Sequence, residues 1–344
     1  MCIRDSEYPF TDIPAPGKTI EVAPGVFWLR MPLPMSLDHI NLYLLESETG
    51  WTVVDTGIRG QETKDLWLTI FEDCLGGKPV EQIICTHMHP DHTGQTGFIS
   101  DHFRVPLLMS YGEYYQARMM HYSMQEKGSW HMSDFFLRGG ISQALMDAMS
   151  EARSQFAPEA DDLPMPKSYQ RLRDGDQLRI GAITWDIIVG SGHSPEHVCL
   201  YSKTNRLLLS GDQILPIITS NVSVHPTEPE ADPMTDWLTS HQKFKALIPD
   251  ETLILPAHNN PFYGASERLD ELTAHHEHRM QIVLDGCKTP TVAIDLLPAL
   301  FERKLENHTL FMALGEGIAH IHCLMTRGQI KRELDGAVYR YTTL

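Results

Sequence analysis

The stretch Thr86-His87-Met88-His89-Pro90-Asp91-His92-Thr93-Gly94 (THMHPDHTG) puts three histidines and an aspartate into six consecutive positions, directly after the apolar run Ile83-Ile84-Cys85. In an extended strand alternate residues share a face, so His87 and His89 are expected to point the same way if the strand persists to its end. Pro90 then turns the backbone, which can aim Asp91 and His92 at a second point close by. Imidazole and carboxylate donors in that arrangement predict a metal site, with room for two neighbouring positions. With 18 histidines in the chain, chance pairs are expected. A four-donor cluster between a strand and a helix is not.

Working outward, short β-rich runs alternate with turns: Val26 to Leu29, Asn41 to Leu45 and Trp51 to Asp55 predict adjacent strands. Leu66, Ile70 and Phe71 have helical spacing within Gln61 to Leu75, stopped by Gly76-Gly77. Val105 to Met109 predicts the next strand. Between Tyr111 and Pro166 lies an insertion rich in methionine and aromatic residues (Met119, Met120, Met124, Trp130, Met132, Phe135, Phe136), expected to be helical. Strands return at Gln177 to Ile180, Thr184 to Ile188, Leu207 to Leu209 and Leu253 to Leu255, with a helix over Met234 to Leu247. Three further donors each follow one of these strands: His193 in GSGHSPEH, Asp212 in LLLSGD and His258 in LPAH.

Taken together with Val53-Val54-Asp55-Thr56-Gly57, these motifs resemble the metallo-β-lactamase superfamily, with five motifs in order between residues 19 and 270. The resemblance implies an α/β fold of the αββα sandwich type, with a two-metal site at one edge of the facing sheets. It implies His87, His89 and His193 at the first metal, Asp91, His92 and His258 at the second, and Asp212 bridging them. His197, four residues after His193, is expected to support the site rather than bind metal. Asp55 could cap a turn or orient a ligand histidine, and the second role is favoured. No cysteine stands at a ligand position. Asp212 occupies the place where the β-lactam-hydrolysing members typically have a cysteine, which argues against antibiotic hydrolysis as the native task.

Neutral imidazoles and carboxylates suit two divalent ions, zinc first, while the oxygen donors of the second position also admit iron or manganese. Such a pair activates water as a bridging hydroxide without a covalent enzyme intermediate, and Asp91 could move a proton to the leaving group. The expected activity is hydrolysis of a carboxylic ester or thioester, of the acyl-CoA or glutathione kind. A lactonase is the nearest alternative and a nuclease a weaker one. The insertion after Tyr111 is either an apolar lid suited to acyl groups or the core of a helical subdomain. Met31-Pro32-Leu33-Pro34-Met35, leading to His39, resembles the mobile loop that borders the site in the superfamily. The insertion and the carboxy-terminal tail are unlike a standard glyoxalase II.

Composition limits the partners. Net charge is −17, from 28 basic and 45 acidic residues, so an extended phosphate-binding surface is disfavoured. Six scattered cysteines without a CxxC pair suit free thiols in a reducing compartment, and with no apolar run long enough to span a bilayer the expectation is a cytoplasmic protein without a membrane partner. Residues 1–18 are expected to be an amino-terminal extension, 19–275 the catalytic domain with a helical insertion over about 111–166, and 286–344 a small winged-helix-like domain. Leu310, Leu314, Ile318 and Ile321 carry the helical spacing of that last unit, and a strand pair ends it at Val338 to Tyr341. Its seven Lys/Arg against six Asp/Glu leave a net of +1, a weak footprint for nucleic acid, so packing or homodimerisation is the expected use.

Overall fold

A computed structural model describes residues 7–123, 129–153, 165–302, 304–305 and 308–344. Cys2, Met124, Arg303 and Glu306 lie outside the described residues. The chain begins with β1 (Ile20–Ala23), β2 (Val26–Pro32), β3 (His39–Glu46) and β4 (Trp51–Val54), followed by α1 (Gln61–Asp73), β5 (Val80–Ile84), α2 (Pro90–Thr93), α3 (Thr96–Phe103) and β6 (Leu107–Met109). The insertion supplies α4 (Tyr111–Ser123), α5 (Trp130–Arg138) and α6 (Gln143–Arg153). Then come β7 (Gln170–Arg171), β8 (Gln177–Ile180), β9 (Ile183–Gly190), β10 (His197–Ser202), β11 (Leu207–Gly211), α7 (Pro233–Leu247) and β12 (Leu253–Pro256). The chain closes with α8 (Ala265–Gly286), α9 (Ala293–Leu300), α10 (His308–Thr326) and the hairpin β13 (Ile330–Asp335) and β14 (Val338–Thr343).

β1 to β7 form one sheet in sequence order, and β12-β11-β10-β9-β8 form a second. Both are mixed, with β4, β5, β6 and β7 parallel in the first and β11 and β12 parallel in the second. Period-two alternation decides which residues lie between the sheets. From β3, Tyr43 and Leu45 join Trp28, Val54, Trp185, Leu200 and Leu209 in the layer between the sheets. Leu42 and Leu44 point the other way, onto Trp67 and Ile70 of α1 and Ile99 of α3. On the second sheet Cys199, Leu208 and Ile254 turn outward onto Phe244 of α7 and Leu269 of α8. Helices therefore cover both outer faces, which is the αββα sandwich the motifs implied.

The carboxy-terminal helices do not carry a core of their own. Leu296, Leu314, Ile318 and Tyr341 pack with Trp237 of α7, Phe135 of α5 and Val222 in one cluster. α8 runs unbroken across the boundary expected between residues 275 and 286. Phe135 and Phe136 of the insertion belong to this cluster, and Tyr114 and Ala117 of α4 pack against the first sheet, whereas Met119 and Trp130 are exposed. Five cysteines among the described residues are free, and no helix there is long and apolar enough to cross a membrane.

Candidate metal centre

Asp55, His87, His193, Asp212 and His258 all lie just beyond the carboxyl ends of strands, namely β4, β5, β9, β11 and β12. β4 and β5 are parallel, as are β11 and β12, and β9 shares their direction because two antiparallel steps separate it from β11. Within each sheet these segments leave at the same edge, and the distances from Asp212 to His87 and His92 bring the two edges together. β5 ends at Ile84, so strand alternation does not align His87 with His89 as expected. Side-chain and cross-sheet bonds replace the ladder beyond Cys85: Thr86 N–H donates to Asp55 Oδ1 (2.7 Å), and Thr86 O accepts from Val198 N–H (2.8 Å). Met31 and Pro32 likewise belong to β2, paired with Ile40 and His39, so the expected loop starts only at Leu33.

Pro90 opens α2, where its missing N–H costs nothing, and the helix presents Asp91 and His92. Gly94 ends it against the turn after β4: a Cβ there would lie 2.2 Å from Arg59 N. Gly211, at φ 50, leaves room for the His197 ring, whose Cε1 would meet an added Cβ at 2.5 Å.

The seven expected donors form two groups. His87, His89, His193 and Asp212 offer one ligand atom each, all within 4.8 Å of one another, and Asp91, His92 and His258 do the same. Asp212 faces both groups. Its Oδ2 lies 3.3 Å from His193 Nε2 and 4.0 Å from His87 Nε2, and its Oδ1 lies 3.6 Å from His92 Nε2 and 3.4 Å from His258 Nε2. Asp91 Oδ2 completes the second group at 3.7 Å from His92 Nε2 and 3.6 Å from His258 Nε2.

Hydrogen bonding fixes which nitrogens turn inward. His193 Nδ1–H donates to Asn221 O (2.7 Å), His258 Nδ1–H to His39 O (2.9 Å) and His92 Nδ1–H to Asp55 Oδ2 (2.8 Å). The Thr86 hydroxyl spends its proton on Asp55 Oδ2, so it accepts from His87 Nδ1–H at 3.1 Å. Nε2 of all four rings therefore faces inward, that of His87 lying 2.8 Å from His89 Nδ1 and 3.2 Å from His193 Nε2. His92 Nε2 and Asp212 Oδ1 are buried without any hydrogen-bond partner. A cation is what such inward-facing atoms can hold, so the residues fit divalent metal ions.

The electrostatics divide the two groups. Burial, reinforced by neighbouring imidazoles, keeps His87 and His89 well below the ordinary histidine value, hence neutral donors. Burial would raise Asp212, but His258 and His92 outweigh it and hold the carboxyl well below its usual range. Burial would lower His92, yet Asp55, Asp91 and Asp212 draw it well above the usual value, and Asp212 likewise outweighs burial to raise His258, so in the metal-free chain both rings favour a proton that a cation at Nε2 would displace. Among the described residues no lysine or arginine pairs with these three carboxylates; histidines are their only ion-pair partners.

Asp55, in left-handed conformation at φ 59, accepts from His92 Nδ1–H at 2.8 Å. His197 supports rather than joins the donor set: its Nε2 accepts the Asp212 N–H at 3.0 Å while its ring stacks on His87 at 4.7 Å. Burial keeps His197 down at about 3, so it is a neutral acceptor. Sequence reasoning missed Thr86, Asn221, Ser220 (which donates to Asp212 O) and Glu113. Each is one polar residue without a pattern around it, and only Thr86, inside the histidine motif, had a signal.

Comparison with known proteins follows the same lines. The sequence profile described as "Metallo-beta-lactamase superfamily" matches residues 35–258, and that of "Metallo-beta-lactamase-like, C-terminal domain" matches 280–344. The crystal structure of "a Beta-lactamase domain protein" from Burkholderia ambifaria superposes with a TM-score of 0.88 and 41% identity, covering 98% of this chain and 97% of that one. A "Probable metallo-hydrolase YqjP" of Bacillus subtilis (strain 168) is 22% identical over 93% of this chain and 98% of its own length. "Acyl-coenzyme A thioesterase MBLAC2" of Gallus gallus is 23% identical over 73% of this chain and 83% of its own. With a dinuclear-type His/Asp donor set at the sheet edge and a matching profile over residues 35–258 of 344, the chain belongs to the metallo-β-lactamase superfamily.

Proposed function

We propose that this protein hydrolyses carboxylic esters or thioesters of small acyl compounds, using two divalent cations, zinc first. His87, His89 and His193 would hold one, Asp91, His92 and His258 the other, with Asp212 shared. The observation that carries the reading is the division of Asp212, whose two oxygens face two separate sets of imidazole nitrogens. When bound, such a pair of cations acidifies a shared water and polarises a carbonyl oxygen.

The chain's own residues supply orientation and proton transfer. Asp55, His39 O and Asn221 O fix the rings so that each presents Nε2. Asp91 is the donor carboxylate most open to solvent, with 20% of its side chain exposed against 10% for Asp212, and so is the one able to pass a proton toward a leaving group. The likeness to an acyl-coenzyme A thioesterase over 83% of that protein supports an acyl substrate. The exposed Met119 and Trp130 of the insertion offer apolar surface suited to one, and the net charge of −17 weighs against polynucleotides.

The test is metal analysis of the purified protein beside a hydrolysis screen of thioesters, simple esters, lactones and phosphodiesters. Two equivalents of metal and chelator-sensitive cleavage of thioesters or esters are expected. Cleavage of phosphodiesters alone would overturn the reading.

A further inference from the structure

Glu113 lies in the first turn of α4, in the insertion, and its side chain is fully buried. No lysine or arginine pairs with it among the described residues. Its carboxylate instead accepts three hydrogen bonds from two other segments. Oε2 takes the Met88 N–H at 2.9 Å, and Oε1 takes the Ser194 hydroxyl and the Glu196 N–H, both at 2.7 Å. Two further bonds tie the same helix start to the same turn: Ser110 Oγ donates to Glu196 O, and Gly112 N–H to Glu196 Oε2, each at 2.7 Å.

The positions of those donors matter. Met88 stands between His87 and His89, and Ser194 directly follows His193. One carboxylate therefore fastens the backbone that carries all three imidazoles of the first group. It touches nothing of the second group, where Asp55 orients His92 and His39 O orients His258. We propose that Glu113 is a positioning residue for the first metal position alone, a clip by which the inserted helix sets the spacing of His87, His89 and His193. The Met- and aromatic-rich insertion then has a role in the site besides any contact with substrate.

Leaving a carboxylate buried without a cation of the protein is costly, and burial outweighs the three hydrogen bonds to push Glu113 up to about 7. A conserved-shape change exposes the dependence. In Glu113→Gln the amide NH2 must face either the Met88 N–H or the Glu196 N–H, so one backbone donor is left without an acceptor.

The inference rests on the ligand assignment above, and the experiment separates the two. Full-length His258→Ala, expected to retain only the first metal, and His193→Ala, expected to retain only the second, are each combined with Glu113→Gln. Zinc affinity is measured by competition with a chelator, with no substrate present. The change should weaken zinc about tenfold or more in the His258→Ala background, the scale of lost outer hydrogen bonds, and less than about twofold in the His193→Ala background. Equal weakening in both, or none in either, would overturn the proposal as a general stability effect. If the histidine variants do not each retain one ion, the assignment itself fails and the proposal with it. Should Glu113→Gln not fold, Ser194→Ala, which removes one of the three donors, should show the same asymmetry at a smaller amplitude of about threefold, and a symmetric result there overturns the proposal equally.

Discussion

At the sheet edge, Asp212 turns both oxygens toward imidazole nitrogens and meets no lysine or arginine among the described residues. Between α8 and α10, Glu316 sits with His276 and His320 in a cluster whose ligand atoms also lie within 4.8 Å of one another, and all three residues are buried. The two groups contain the same chemistry and differ in what neutralises the carboxylate. Arg279 donates to Glu316 Oε1 and Asn221 Nδ2 to Oε2 at 3.1 Å, while the guanidinium also lies over Phe301 at 4.7 Å. His320 Nδ1–H is spent on Glu316 O at 2.7 Å, and His276 Nδ1 faces His320 Nε2 at 3.2 Å, as an N–H···N bond between neutral rings would. Where the chain supplies its own cation, the cluster is a structural joint. Where it supplies none, the cluster is a place for metal.

The strongest way to break that contrast is at Asp212. In Asp212→Ala, both sets of nitrogens lose their shared anion, so metal content should fall at both positions and hydrolysis by more than about 100-fold, beyond the loss given by outer partners alone. Full activity with two bound ions would remove Asp212 from its role. Elemental analysis together with a thioester assay measures both.

A third buried carboxylate sharpens the comparison, because Glu113 has neither a metal donor's position nor, among the described residues, an arginine partner. Its ordinary value of 4.5 is raised to about 7 by burial. The protonated form is thereby favoured by folding, so the stabilisation is complete below pH 4.5 and is lost as pH rises through 7. At 1.36 kcal/mol per unit the metal-stripped protein should lose roughly 3 kcal/mol over that range relative to Glu113→Gln. Urea unfolding of the two proteins at pH 4.5 and 7.5 reads the difference. Parallel stabilities across that range would mean the three donors alone keep Glu113 ionised.

Much of this site was legible before any coordinates. His87, His193, Asp212 and His258 each come one to three residues after a predictable strand, and a strand that ends at a sheet edge delivers the residues after it to that edge. The strands themselves were legible because alternating burial on both faces of the sheets leaves a period-two trace, as in Trp28 against Leu29 or Tyr43 against Leu44. The partners that hold the ligands were not. Asn221 and the carbonyl of His39 act through single bonds from distant segments and Glu113 through three, and nothing in the neighbouring sequence marks them. The fusion of α9 and α10 with α5 and α7 was equally hidden, since helical periodicity shows that Leu314 and Ile318 are buried and not what buries them.

Asp55 tests whether orientation matters as much as charge. Asp55→Asn keeps an acceptor for one Thr86 donor but turns an NH2 toward the His92 Nδ1–H, so the ring loses the bond that fixes its tautomer. A loss of about 10- to 100-fold in affinity at the second position is expected, with the first position less affected. Equal affinities at both positions would return Asp55 to the role of a turn cap, which its φ of 59 would satisfy by itself.

The smallest effect should come from the other cluster. His276→Leu removes a ring whose Nε2 is buried without a partner, exchanging an unmet polar atom for an apolar one of similar bulk. His320 keeps its bond to Glu316 O, and the Arg279–Glu316 pair is untouched. Stability should therefore change by no more than about 1 kcal/mol, because the gain from the unmet nitrogen offsets the lost contact with His320. Metal content per chain should not change at all. If elemental analysis instead found one ion fewer in His276→Leu, Arg279 would not be the cation of this cluster, and pairing with arginine would no longer distinguish a structural joint from a metal centre.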